Sequence, residues 1–314
     1  MSALTQTDIN TSVTLGSVTY PTPVLNASGA FNASLFNQLF DLQTTMGGIV
    51  TKTVTPKPTV GNPQQRTVEL PGVGMLNSIG LQNPGLDYFL ETEAPTLQQY
   101  QLPVVLSISA HSPAEFVAMA EKVLAHSSAK TVTVLELNLS CPNVEKGGVE
   151  FGSRPDLVKE ALKATVEVWK KPLFAKLTPN VGDMVPIAGA AIEGGATGLT
   201  AINTLLGTSI DLKTQKAVLP RVSGGYSGPG IKPVALHHVY QLYKHFPKTP
   251  IMGVGGVSSA EDALEFMMAG ASLVQVGTSC FRHPGVFAQV LSGMRAFCAE
   301  QGVSSVSSLT GVAH

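Results

Sequence analysis

Short apolar runs rich in β-branched residues recur along this chain at even spacing, and each ends on a polar or glycine position. They read as strands over 18–28, 48–53, 103–109, 133–140, 172–178, 198–204, 250–256 and 272–278. Between them lie stretches whose apolar residues recur at three and four, the helical period, such as 113–124, 156–168, 184–192 and 260–269. Alternating strands and helices imply a parallel sheet, because each strand must return through a crossover before it can pair in the same direction. Eight such repeats in roughly 250–300 residues predict a closed (β/α)8 TIM barrel, since a doubly wound sheet usually has fewer strands.

A barrel of this kind gathers its chemistry where the strands end. Ser28, Lys52, Ser107, Asn138, Lys176, Asn203, Thr204, Gly255, Gly256, Gly277 and Thr278 all fall at or just past such ends. Two long insertions, 55–100 and 205–233, leave from the same face, and long loops there commonly form lids and substrate walls. No Gly/Ser-rich or Pro-rich linker interrupts the series, so 1–314 reads as a single domain.

The fourth strand is the most telling. In Leu135-Glu-Leu-Asn-Leu-Ser-Cys-Pro-Asn143 the leucines alternate with Glu136, Asn138 and Ser140, and Pro142 stops the ladder because it has no N–H to donate. Cys141 is left in a loop at the strand's end. An isolated cysteine is often only a small buried thiol, but Asn138, Ser140 and Asn143 surround this one with amides and a hydroxyl. Pro142, Gly147, Gly148 and Gly152 make the following segment suited to act as a lid over it.

Composition narrows the partner. The chain is 44% hydrophobic, enough for a large core, and 20 basic against 21 acidic residues give a net charge of −1. There is no basic footprint for nucleic acid, and a small molecule is the expected ligand. Residues 1–22 lack the basic start and apolar core of a signal peptide, and no run approaches a membrane span, so a cytoplasmic protein is expected. The cysteines, Cys141, Cys280 and Cys298, lack C-x-x-C spacing, so no metal site is expected, and Cys280 and Cys298 read as structural. The seven histidines fall mostly in helical or surface contexts and suggest no His-based catalysis.

What remains divides into two ends. Gly255-Gly256 after strand seven and Gly277-Thr278 after strand eight offer backbone amides without obstructing side chains, the usual barrel phosphate site, and 224–230 adds a flexible, amide-rich loop. Opposite, Asn77, Asn138, Asn143, Asn203 and Thr204 offer donors and acceptors suited to a flat imide ring. Cys141 is the candidate acid/base, since a free thiol titrates near pKa ~8.5, and Lys52 and Lys176 can stabilise negative charge developing at the mouth. The phosphate end taken alone also fits a flavin-free lyase or isomerase.

Four motifs then become recognisable together: Asn-Leu-Ser-Cys-Pro-Asn-Val at 138–144, Asn-Ser-Ile-Gly-Leu-Gln-Asn-Pro-Gly at 77–85, Ile-Asn-Thr-Leu-Leu-Gly at 202–207, and Gly-Gly-Tyr-Ser-Gly-Pro-Gly-Ile-Lys-Pro at 224–233. From about Thr14 to Phe287 the chain resembles the soluble class 1 dihydroorotate dehydrogenases. The resemblance implies FMN on the barrel mouth, its phosphate on Gly255, Gly256, Gly277 and Thr278. The remaining flavin contacts would be Ser28, Lys52, Thr53, Ser107, Asn138, Lys176, Ile202 and Gly228. It implies a pocket for dihydroorotate and orotate built from Lys52, Asn77, Ser78, Ile79, Gly80, Leu81, Asn138, Asn143, Asn203 and Thr204. Cys141 would remove the proton from ring carbon 5 while hydride passes from carbon 6 to the flavin, and Lys176 would stabilise the reduced ring. The membrane-bound class, with Ser as base, is disfavoured by Cys141. Residues 146–152, 82–85, 178–181 and 211–214 are similar to class 1B, whose homodimeric barrel passes electrons to NAD through a partner subunit carrying FAD and an iron–sulfur cluster. Ser107 departs from the Asn usual in class 1B and looks like class 1A, which uses fumarate and acts alone.

Overall fold

The structure is a computed structural model of the chain. It describes residues 4–30, 42–140, 142–143 and 149–314, and of 142–143 and 149–150 only the backbone. Eight parallel strands form one sheet: β1 (Val24–Asn26), β2 (Ile49–Val50), β3 (Val104–Ile108), β4 (Val132–Asn138), β5 (Leu173–Leu177), β6 (Gly198–Ala201), β7 (Ile251–Val254) and β8 (Leu273–Val276). Their order is β1-β8-β7-β6-β5-β4-β3-β2. The remaining seam, β1 to β2, is closed by a Leu25–Gly48 bridge and by the amide of Asn26, which donates to Val50 O (2.6 Å) and accepts from Val50 N (3.0 Å). Gly47 at this seam cannot be replaced cheaply, because a Cβ there would sit 1.7 Å from Thr22 O. The expected barrel is present; seven of its strands lie inside their predicted segments, and β4 begins one residue earlier, at Val132.

One boundary is corrected. The run 18–28 is two elements, not one strand. Val18–Tyr20 pairs antiparallel with Val13–Leu15, and only Val24–Asn26 enters the barrel. Pro21 and Pro23 lie between them, and proline can neither donate to a ladder nor adapt its φ, so the chain turns there. The hairpin forms a plug. Val13, Val18 and Tyr20 pack with Leu25, Val50, Val105, Val134, Phe174, Met252 and Leu273, the inward positions near the N-terminal ends of seven strands.

Helices cover the outside, among them Pro113–Ala125, Pro155–Val168, Val185–Glu193, Lys232–His245, Ala260–Met268 and Val286–Glu300. Their starts follow capping chemistry: Ser112 accepts from Glu115 N (3.2 Å) ahead of Pro113, and Ser259 with Asp262 forms a capping box.

The two insertions do not stay apart. Thr67–Leu70 and Gly74–Asn77 from the first join Leu205–Thr208 and Ser223–Ser227 from the second in one antiparallel sheet, with Gly225 opposite Asn77 and Ser227 opposite Met75. This corrects the reading of 224–230 as a flexible loop. Ser223–Ser227 is a paired strand, and its glycines serve close packing: a Cβ on Gly224 would meet Asn77 O at 2.4 Å, and one on Gly225 would meet Thr204 Oγ1 at 2.2 Å.

Candidate active site

Successive inward positions on one strand lie two residues apart, about 7 Å along the strand. One or two such steps therefore carry a strand from plug to mouth. Val50 is followed by Lys52, Phe174 by Lys176, and Val134 by Glu136 and then Asn138. Above them opens a cavity of about 680 Å³, within the size range of small-molecule and cofactor sites.

An amide network forms one wall. Asn203 Nδ2 donates to Asn138 Oδ1 (3.2 Å) and to Ser140 Oγ (2.6 Å). Asn138 Nδ2 reaches Thr53 Oγ1 (3.4 Å), which pairs with Ser107 Oγ (3.0 Å). The backbone of Asn138 accepts from Ser109 Oγ (3.0 Å). Such a chain fixes which amide edges face the cavity, and rigid placement is what lets buried amides discriminate between ring substituents. On the insertion sheet Asn77 donates to Gly225 O (3.1 Å), tying the two insertions at the cavity.

Among the described residues three cations line this cavity. Lys176, only 5% exposed, donates to Ser28 Oγ (3.1 Å). Burial, then the charge of Lys176, then that of Arg66, hold the Lys52 ammonium below its ordinary value of 10.5. Lys52, Lys176 and Arg221 line the cavity among the described residues, while no Asp, Glu or His does. In a chain of net charge −1 this is a strongly local positive field, suited to an anionic ligand.

At the other end Gly255 (φ +136°) and Gly256 (φ +85°) take conformations that favour glycine, and a Cβ on Gly255 would lie 2.6 Å from Ala235 Cβ. Gly277 and Thr278 face the same cavity, and Thr278 Oγ1 donates to Ser227 Oγ (2.7 Å).

The predicted site residues largely converge. Ser28, Lys52, Thr53, Asn77, Ser78, Ile79, Gly80, Leu81, Asn138, Lys176, Ile202, Asn203, Thr204, Gly228, Gly255, Gly256, Gly277 and Thr278 all line the one cavity. Ser107 does not. It is fully buried and its hydroxyl meets Thr53, so it supports the wall from behind. Cys141 and the lid segment 144–148 lie outside the described residues. Of Asn143 only the backbone is described, with Pro142–Asn143 paired to Val149–Glu150. Cys280 and Cys298 are buried, and burial pushes the Cys280 thiol up to about 11, which fits their reading as structural. Sequence reasoning missed Asn62, Thr67, Met75, Leu206, Arg221 and Phe281, which also line the cavity. Only Asn62, in the Gly61-Asn-Pro turn, carried a local signal; its amide donates to Ser78 O and Oγ (3.1 and 2.9 Å).

Compared with known proteins, residues 10–297 match the dihydroorotate dehydrogenase family. The chain belongs to that family. It is 43% identical over 306 residues, 97% of this chain and 99% of the relative, to the dihydroorotate dehydrogenase B (NAD(+)), catalytic subunit, of Alkaliphilus metalliredigens. It is likewise 43% identical over 301 residues, 96% of this chain and 97% of the relative, to the protein of that name from Trichlorobacter lovleyi. A ligand-free type dihydroorotate dehydrogenase from Eimeria tenella superposes with a TM-score of 0.77 over 100% of this chain and 95% of its own; at 23% identity that likeness concerns the fold. Dihydroorotate dehydrogenases are flavin-dependent enzymes. The donor set fits such a group: a glycine cradle at one end, cations at the other, and fixed amides between them. Among the described residues no helix is long and apolar enough to cross a membrane, and no cluster of side chains could hold a metal ion.

Proposed function

We propose that the chain oxidises (S)-dihydroorotate to orotate, a step of pyrimidine synthesis, as the catalytic subunit of an NAD-linked enzyme. The observation that carries this reading is the cavity lined by Lys52, Lys176 and Arg221, with no carboxylate among its described residues, beside the Asn138–Asn203 network. Dihydroorotate combines a carboxylate with an imide ring, and this wall offers partners to both.

FMN is the cofactor we assign. Its phosphate would be held by the amides of Gly255, Gly256, Gly277 and Thr278, and the rest by Ser28, Thr53, Ile202 and Gly228. When bound, the flavin supplies the acceptor for the hydride leaving carbon 6 of the substrate. Lys176 Nζ, oriented by Ser28, would stabilise negative charge developing on the ring of the bound group. Asn77, Ser78, Ile79, Gly80, Leu81, Asn143, Asn203 and Thr204 orient the substrate ring, with Lys52 and Asn138 shared between both ligands. Cys141 Sγ takes the proton from carbon 5.

Electrons leave through a partner subunit carrying FAD and an iron–sulfur cluster that reduces NAD. The names of the 42–43% identical relatives, all catalytic subunits of the NAD(+) enzyme, support this route. We further assign a single domain over 1–314, a homodimer and a cytoplasmic setting. An acceptor screen on the purified chain tests the reading. Dihydroorotate should reduce an artificial dye with a visible flavin band, and NAD only after the partner is added. Turnover with fumarate alone would replace the NAD assignment, and a colourless protein would remove the flavin.

A further inference from the structure

Arg221 was absent from every motif, yet it lines the cavity and is solvent-exposed. It makes no hydrogen bond or ion pair with any described residue through its side chain, whereas Arg154 and Arg282 pair with Asp156 and Glu69. Its backbone, in contrast, is held tightly. Val222 N donates to Leu219 O (2.9 Å), Ser223 N donates to Arg221 O (2.7 Å), and Thr208 Oγ1 donates to Val222 O. Leu219 is buried at 1% exposure and anchors the turn. Val222 sits at φ +64°, a conformation that β-branched residues rarely take, with its own side chain 58% exposed. A valine is therefore kept in an unfavourable backbone state where its side chain gains little packing, and the turn leaves the Arg221 guanidinium at the mouth. Strain of this kind concentrates where geometry serves a ligand.

We propose that Arg221 is the outer anion-capture group of the cavity, meeting the carboxylate of incoming dihydroorotate at the rim ahead of the inner cations Lys52 and Lys176. This rests on the substrate assignment above. The electrostatic case is that, among the described residues, the charged groups of the lining are all cations, so a guanidinium at the open end extends the positive field outward and the field funnels a small anion inward. An exposed rim charge acts mainly on arrival, and is screened by salt.

The test is steady-state turnover of the flavin-loaded protein with dihydroorotate and a dye, from low to high ionic strength, with orotate affinity measured by calorimetry. Arg221→Gln should lower kcat/KM about three- to tenfold at low salt, leave kcat unchanged, weaken orotate binding in parallel and flatten the salt dependence. Arg221→Glu should lower it further, and Arg221→Lys should keep most of it. A merely solubilising arginine would move none of these. Equal KM, orotate affinity and salt slope in the wild type and Arg221→Gln overturn the proposal. If the wild-type protein itself neither binds orotate nor oxidises dihydroorotate, the substrate assignment fails instead, and the capture role with it.

Discussion

The same strands build two opposite environments. Near their N-terminal ends the inward positions Val50, Val105, Val134, Phe174, Met252 and Leu273 close over an apolar hairpin; near their C-terminal ends the positions Lys52, Asn138 and Lys176 open onto a cavity. The change takes two to four residues per strand. Between the two, Glu136 is fully buried and accepts from Thr200 Oγ1 (2.8 Å), a polar layer inside the barrel. The contrast teaches that stability and chemistry are separated along the barrel axis. Substitutions at one end should move melting, and at the other, turnover.

That division can be broken most decisively at its extremes. Cys141→Ala should lower dihydroorotate oxidation by about 10²–10⁴-fold, the range of general-base catalysis, with an unchanged thermal midpoint; a loss below about tenfold, or ~1.4 kcal/mol, would show that Cys141 is not the base. At the plug, Phe174→Ala should cost about 3–5 kcal/mol of folding stability, read by denaturant unfolding, with the orotate affinity of the surviving folded protein unchanged. Gly198→Ala belongs to the same end, since a Cβ there would lie 2.3 Å from the Phe174 ring. It should destabilise by about 1–3 kcal/mol through overpacking, and a neutral result would mean the ring can move freely.

Smaller effects sharpen the comparison at the mouth. Asn203→Ala removes the donor to both Asn138 and Ser140, and should weaken orotate binding by about 1–3 kcal/mol with little change in melting. The pH response of Lys52 has a definite sign. Because burial and the neighbouring cations lower its folded value below 10.5, the unfolded chain holds that proton more tightly. The penalty is complete below the folded value and fades as pH rises through it towards the unfolded one, so ligand-free stability should rise across that alkaline window. Binding orotate should restore the ammonium and take up a proton there. Calorimetry in two buffers of different ionisation heat reads this directly, and identical heats would refute it.

Sequence legibility followed the range of the interactions involved. The barrel strands were readable because a buried strand's pattern is local: Leu135, Leu137 and Leu139 alternate with the residues that point inward. The polar strand ends were readable for the same reason, which is why Lys52, Asn138 and Lys176 were found. The first strand was misdrawn because Val18–Tyr20 and Val24–Asn26 look alike in sequence and differ only in partner. Ser107 was singled out by its place at a strand end, but only the tertiary structure shows its hydroxyl meeting Thr53, outside the cavity lining. Arg221 and Phe281 carried no pattern at all, since an isolated exposed residue is assigned to a cavity only by what folds beside it.

By itself, then, the sequence determined the strand count, the closed parallel architecture, the family, and the inward residues of the mouth, because alternation and motif spacing are properties of a few neighbouring positions. The tertiary structure decided what depends on distant chain segments meeting. It joined the insertions through Asn77 and Gly225, 148 positions apart, and laid the Val13–Tyr20 hairpin under the barrel. It also brought Lys52, Lys176 and Arg221 to one cavity that has no carboxylate among its described residues. An electrostatic field is the sum over charges close in space, and nothing in the order of residues along the chain states that sum.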